Sequence, residues 1–137
     1  MTSSTAIFWP VIAQVLLTYL VYLTVSARRI AAVRAGTAKA SDFKVPSIEP
    51  EPSATAARNL SNQFELPVLF FAACLSLFVT GGAGLAAIVA AWAFVLARLV
   101  HAYVHLTSNR VRICRRLFIV SLAVNLVQWL LLAIHIA

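Results

Sequence analysis

The sequence predicts an all-α membrane protein, a four-transmembrane-helix bundle formed as one domain over residues 1–137. Three observations carry this reading. The composition is 62% hydrophobic and 11% charged, with a mean hydropathy of +0.92, well above the apolar share of a soluble domain. Four apolar stretches each approach the length of about twenty residues that crosses a bilayer as a helix. The basic residues fall in two short clusters between those stretches, which is how cytoplasmic loops are charged.

The first span runs from about Ile7 to Ala27. Val25-Ser26-Ala27 has the look of a signal-peptide cleavage site. The leader Met1–Thr5, however, carries no positive charge, and the apolar run is longer than a signal core, so a retained helix is expected. Trp9 near its outer end suits an interfacial anchor. The following connection carries Arg28, Arg29, Arg34, Lys39 and Lys44, and within Ala38–Pro52 stand Pro46, Pro50 and Pro52. Proline at that density predicts an irregular or mobile connection, a plain linker or else a cytoplasmic flap.

The second span runs from about Ala57 to Val79, the third from about Ala83 to Leu106 and the fourth from about Ile113 to Ile136. Gly81-Gly82 makes the turn between the second and third. The third span is rich in alanine (Ala83, Ala86, Ala87, Ala90, Ala91, Ala93 and Ala97), which allows close helix packing within a bundle or between subunits. Ser121, Asn125 and Gln128 lie at i, i+4, i+7 in the fourth span, with Gln14 at a depth similar to Gln128. Interhelical hydrogen bonding is their expected role.

Charge sets the orientation. The second basic cluster is Arg110, Arg112, Arg115 and Arg116, whereas the N-terminus, the Gly81-Gly82 turn and the C-terminus carry no Lys or Arg. Both basic loops are therefore expected in the cytoplasm and both termini outside. The net charge of +7 then reflects membrane orientation, and the expected partner is the lipid bilayer, not nucleic acid. Cys74 and Cys114 differ in depth by about 20 Å, too far for a disulfide. His101 and His105 are i,i+4, but neither an H-E-x-x-H pattern nor a neighbouring cysteine completes a metal site.

The chemistry is expected in a polar seam between the second and third spans. Arg58, Asn62 and Glu65 (i, i+4, i+7) share one helix face, and Arg98, His101 and His105 (i, i+3, i+7) share another. An antiparallel hairpin about Gly81-Gly82 pairs Glu65 with Arg98, Asn62 with His101 and Arg58 with His105. The seam reaches from the cytoplasmic surface to about 10 Å inside. Intramembrane ionisable groups are costly and mark functional sites by default. Arginines at the mouth suit a carboxylate-bearing anion, because guanidinium binds carboxylate through two parallel hydrogen bonds. The plainer alternative is a clasp, with Glu65–Arg98 an ion pair that locks two helices together. Pro67 removes a helix hydrogen bond from the Gln63 carbonyl, so a kink is expected beside the seam.

At these residues the chain resembles the MAPEG family, the membrane-associated proteins of eicosanoid and glutathione metabolism, in its bacterial form. Arg58-Asn59-Leu60-Ser61-Asn62-Gln63-Phe64-Glu65-Leu66-Pro67 is similar to the family's Arg-x-x-x-Asn-x-x-Glu motif followed by proline. Arg98-Leu99-Val100-His101 looks like its third-helix arginine with an aromatic residue or histidine three positions on. The resemblance covers nearly the whole chain. It implies a homotrimer in the inner membrane of a bacterium, with glutathione as co-substrate bound between subunits near the cytosolic face. Arg58, Asn62 and Glu65 are then glutathione contacts, Arg98 and His101 continue the site, and His105 stands where the enzymes commonly carry a tyrosine. Arg28 or Arg29 matches a further site arginine, and Arg112 or Arg115 matches the arginine that activates the thiol. The implied activity is a glutathione transferase or peroxidase acting on small lipophilic electrophiles. The competing readings are a non-catalytic member of the same fold that binds lipid or a partner, and a small multidrug transporter. Glu65 opposed by Arg98 argues against the transporter, because a neighbouring cation holds the carboxylate ionised.

Overall fold

Each apolar stretch forms a helix, and the helices run longer than hydropathy alone marks. The structure is a computed structural model that describes residues 4–45 and 48–137. Helix α1 spans Phe8–Arg34, α2 Glu51–Asn62, α3 Leu66–Val79, α4 Leu85–Leu106 and α5 Val111–Ile136. Helices α2 and α3 together make the second span. Four segments (Thr5–Arg34, Glu51–Val79, Leu85–Leu106 and Val111–Ile136) are long and apolar enough to cross a membrane, and the described residues include no strand. The protein is an all-helical, multi-pass integral membrane protein. Residues Met1–Ser3 of the leader, and Pro46 of the proline-rich connection, lie outside the described residues.

The expected kink is present as a full break. Proline has no N–H for the Gln63 carbonyl, and its ring crowds the preceding turn. Accordingly α2 stops at Asn62 and α3 restarts at Leu66, with Pro67 in the first turn, where its missing donor is harmless. Glu65 sits between them at φ −94°, ψ −102°. The break ends the helical register that placed Glu65 on one face with Arg58 and Asn62. On the inner face of α2 Asn59, and at its end Gln63, are fully buried. Gln14 of α1 donates to Gln63 Oε1 at 2.9 Å, and Gln63 donates to Asn59 Oδ1 at 3.0 Å. Gln14 thus pairs across to the break and not with Gln128. Gln128 reaches the Cys74 thiol of α3 at 3.6 Å, while Asn125 bonds within α5.

Helix α4 touches every other helix, and its alanines explain how. Ala87, Ala90, Ala91 and Ala97 are buried while Ala86 and Ala93 are exposed, so the small residues that matter form one packing stripe. Around them Phe70 stacks on Phe94 with ring centroids 4.4 Å apart, among Leu77, Val95 and Leu132. Both cysteines are free and buried.

The turn opposite the basic loops is closed by a clip absent from the sequence reading. Gly81 has φ +86°, a conformation that favours glycine, and lets Gly82 N–H reach the Leu77 carbonyl at 2.8 Å. A Cβ on Gly82 meets His135 Cδ2 at 2.7 Å, and His135 Nε2 lies 2.9 Å from the Thr80 carbonyl. Gly82→Ala is therefore expected to lower the thermal midpoint, at a cost of about 1–3 kcal/mol for overpacking. Adding His135→Ala should return most of that loss; a loss that persists would place the strain elsewhere.

The proline-rich connection is tied down. Pro50 and Pro52 occupy the N-cap and first turn of α2, positions that accept proline readily, so the helix begins six residues before the expected boundary. Arg29 grips Glu49 through two hydrogen bonds, Nε–Oε1 at 2.7 Å and Nη2–Oε2 at 3.0 Å, and lies 5.3 Å from the centre of the Phe43 ring. A 3-10 turn at Ala40–Lys44 is closed by Asp42 accepting from the Lys39 N–H at 2.8 Å. The described parts of the irregular connection, residues 40–45 and Glu49, thus contact Arg29 of α1 through Phe43 and Glu49.

The hydrogen bonds from Arg29, outweighing burial, hold the Glu49 carboxyl below its ordinary range. A depressed carboxylate stabilises above the unfolded value of about 4.3, and that stabilisation is lost as pH falls through the folded value. Hydrogen-exchange protection of residues 40–45 is expected to hold at neutral pH and collapse in acid below that value. Glu49→Gln should remove this pH dependence, and an unchanged profile would show that the ion pair does not hold these residues.

Candidate functional site

At the basic end of the bundle, α2, α4 and α5 diverge around an open pocket of about 760 Å³. The sequence reason is the spacing of polar groups on three helices. Helix α2 contributes Glu51, Thr55, Arg58 and Asn62, α4 contributes His101 and His105, and α5 contributes Cys114, Arg115 and Phe118. Asn109, in the left-handed region at φ +44°, closes the rim between α4 and α5. Of the expected hairpin pairings, Asn62–His101 and Arg58–His105 are brought to one pocket wall.

The third pairing is not formed. Among the described residues the only ion pair within 4 Å is Arg29–Glu49. Glu65 is exposed in the helix break and Arg98 is fully buried, and neither lines the pocket. Arg98 Nη2 donates to the Asn62 backbone carbonyl at 2.9 Å. That carbonyl is among the last of α2, where no intrahelical donor remains. The cation therefore caps α2 from α4 in place of pairing with a carboxylate.

Burial leaves several polar atoms near the pocket without a partner. Arg98 Nε and Nη1, His101 Nδ1 and His105 Nδ1 have no hydrogen-bond partner among the described residues. Each unsatisfied buried polar group costs about 1–3 kcal/mol, and of these residues His101 and His105 also line the pocket. The His101 and His105 rings lie side by side with centroids 5.7 Å apart. Among the described residues no group of three or more His, Cys, Asp or Glu side chains is placed to hold a metal ion.

The two candidate activating arginines separate. Arg115 lines the main pocket, while Arg112 opens onto a neighbouring one with Arg116. Arg115 borders both. Arg28 and Arg29 are both committed elsewhere. Arg28 donates to the Pro52 carbonyl at 2.8 Å and the Leu106 carbonyl at 2.6 Å, tying α1 to the start of α2 and the end of α4. Arg29 holds Glu49.

A family model described as the MAPEG family matches residues 6–134. The chain belongs to the MAPEG family. No match appears among curated proteins or solved structures. The pocket of this MAPEG protein also contains groups that the sequence reading passed over. Glu51 and Thr55 precede Arg58 and Asn62 at helical spacing, so the polar stripe was visible further upstream. The prolines at positions 50 and 52 hid it by suggesting that the helix had not begun. Cys114 also lies on the pocket wall.

Proposed function

We propose that this MAPEG protein binds an anionic thiol, glutathione, in the pocket between α2, α4 and α5 and joins it to lipophilic electrophiles dissolved in the bilayer. The observation that carries this is the meeting of Arg58, Asn62, His101, His105 and Arg115 around one open pocket at the basic end. Guanidinium groups recognise carboxylates through paired hydrogen bonds, and glutathione carries two carboxylates. The positive-inside distribution of the two basic loops supports a cytoplasmic opening and outward termini.

In this reading Arg58 at the mouth and the histidine pair position the peptide, and Asn62 offers its amide. Arg115 stabilises the thiolate, since a nearby cation favours the charged form of a thiol. The thiolate lone pair forms the new S–C bond, and the leaving group departs with its electron pair. Phe118, Val111 and Ala54 supply apolar wall for a lipophilic second substrate. Family membership supports assembly as a homotrimer, and the many exposed apolar side chains of the single chain supply surface for it.

A non-catalytic binder is the second reading, favoured by His105 standing where family enzymes carry a tyrosine. Calorimetry on detergent-purified protein tests the first. Glutathione is expected to bind wild type and Lys44→Ala alike, and to be lost at millimolar concentration in Arg58→Ala. Absence of binding to wild type at that concentration would reject glutathione, and binding without turnover on any electrophile would leave the non-catalytic reading.

A further inference from the structure

We propose that the outer face of the first two turns of α5 is a binding site for the phosphate of an anionic phospholipid. Arg112, Arg115 and Arg116 are all exposed there and, with Val111 and Ile119, enclose a second pocket of about 320 Å³. The pocket adjoins the candidate thiol site, with Val111 and Arg115 lining both.

The length of α5 sets its depth. Its 26 residues extend about 39 Å, against a hydrocarbon thickness of about 30 Å. The excess of about 9 Å belongs at the arginine-bearing end, because residues 117–134 carry no charge. The three guanidiniums therefore stand in the headgroup layer. Below them on the same helical face, Ile119, Leu122, Leu126 and Leu130 are each about half exposed, at 50, 47, 58 and 51%. Cations above a continuous apolar stripe match a phosphate above its acyl chains, and basic clusters at this depth attract anionic lipid.

Charge decides between occupants. Among the described residues none of the three arginines has a carboxylate partner. A second copy of the chain is a poor source of one. The chain has four acidic residues in all. Glu49 is held by Arg29, Asp42 closes its own turn and Glu51 belongs to the first pocket. That leaves Glu65 to face three guanidiniums. A free phosphate satisfies the cations but leaves the apolar floor unused.

The test uses the full-length protein in detergent, with thermal unfolding and native mass spectrometry reading lipid retention. Phosphatidylglycerol is expected to raise the unfolding midpoint and remain bound, whereas phosphatidylcholine and inorganic phosphate do neither. Arg112→Gln combined with Arg116→Gln should weaken retention about 30-fold, equivalent to about 2 kcal/mol for two charges. The corresponding Lys pair, which keeps the charge, should stay within a few-fold of wild type. Equal response to phosphatidylcholine, retention unchanged in the Gln pair, or loss in the Lys pair as large as in the Gln pair overturns the proposal. An equal shift from inorganic phosphate would assign the pocket to a free anion instead.

Discussion

Replacing Arg115 by alanine is expected to slow glutathione conjugation of an aromatic electrophile by about 100-fold or more, the scale of losing one electrostatic stabiliser. Glutathione binding should weaken much less, because Arg58, Asn62 and the two histidines still line the pocket. Arg112→Ala should cost far less rate, since Arg112 opens onto the neighbouring cavity. The order matters more than the size. Two arginines three residues apart on α5 look alike in the sequence, and only the pocket wall distinguishes them. Steady-state rates and calorimetric affinities for both variants decide the matter. A larger loss of rate in Arg112→Ala than in Arg115→Ala would make Arg112, not Arg115, the activating cation.

How far the sequence carries depends on which physical rule governs each residue. Span number and type were legible because about twenty apolar residues in a row have few folded alternatives in lipid. The break before Leu66 was legible because proline at position 67 deletes one particular hydrogen bond. The fate of Glu65 was not. Helical spacing assigns it to the face of Arg58 and Asn62, and that assignment survives only while the helix continues. Asn59 and Gln63, four residues apart on the inner face of α2, are buried by ordinary helical periodicity, so one proline both produced the kink and undid the pairing expected beside it. Pro50 and Pro52 misled in the opposite direction. Proline density suggested a linker, yet at the start of a helix the missing N–H is one that has no partner anyway. Arg28 and Arg29 were invisible as clamps because their partners are backbone carbonyls and a glutamate twenty residues away.

The last expectation concerns the cation that this break stranded. Arg98→Ala is expected to destabilise the protein by about 2–5 kcal/mol, the range for truncating a large buried side chain. The substitution empties a fully buried site, and it leaves the Asn62 carbonyl at the end of α2 without its donor. Glu65→Gln is expected to cost no more than about 0.5 kcal/mol, because Glu65 is exposed and attracts Arg98 only from beyond ion-pair distance. The double variant should then equal the sum of the singles within about 0.5 kcal/mol. A buried ion pair behaves otherwise, because removing either partner leaves an uncompensated charge and costs about 3–5 kcal/mol. Chemical unfolding in detergent separates the two cases. A coupling energy above about 1 kcal/mol would show that Glu65 and Arg98 act as a pair, and that the capping hydrogen bond to Asn62 is not what keeps an arginine buried in α4.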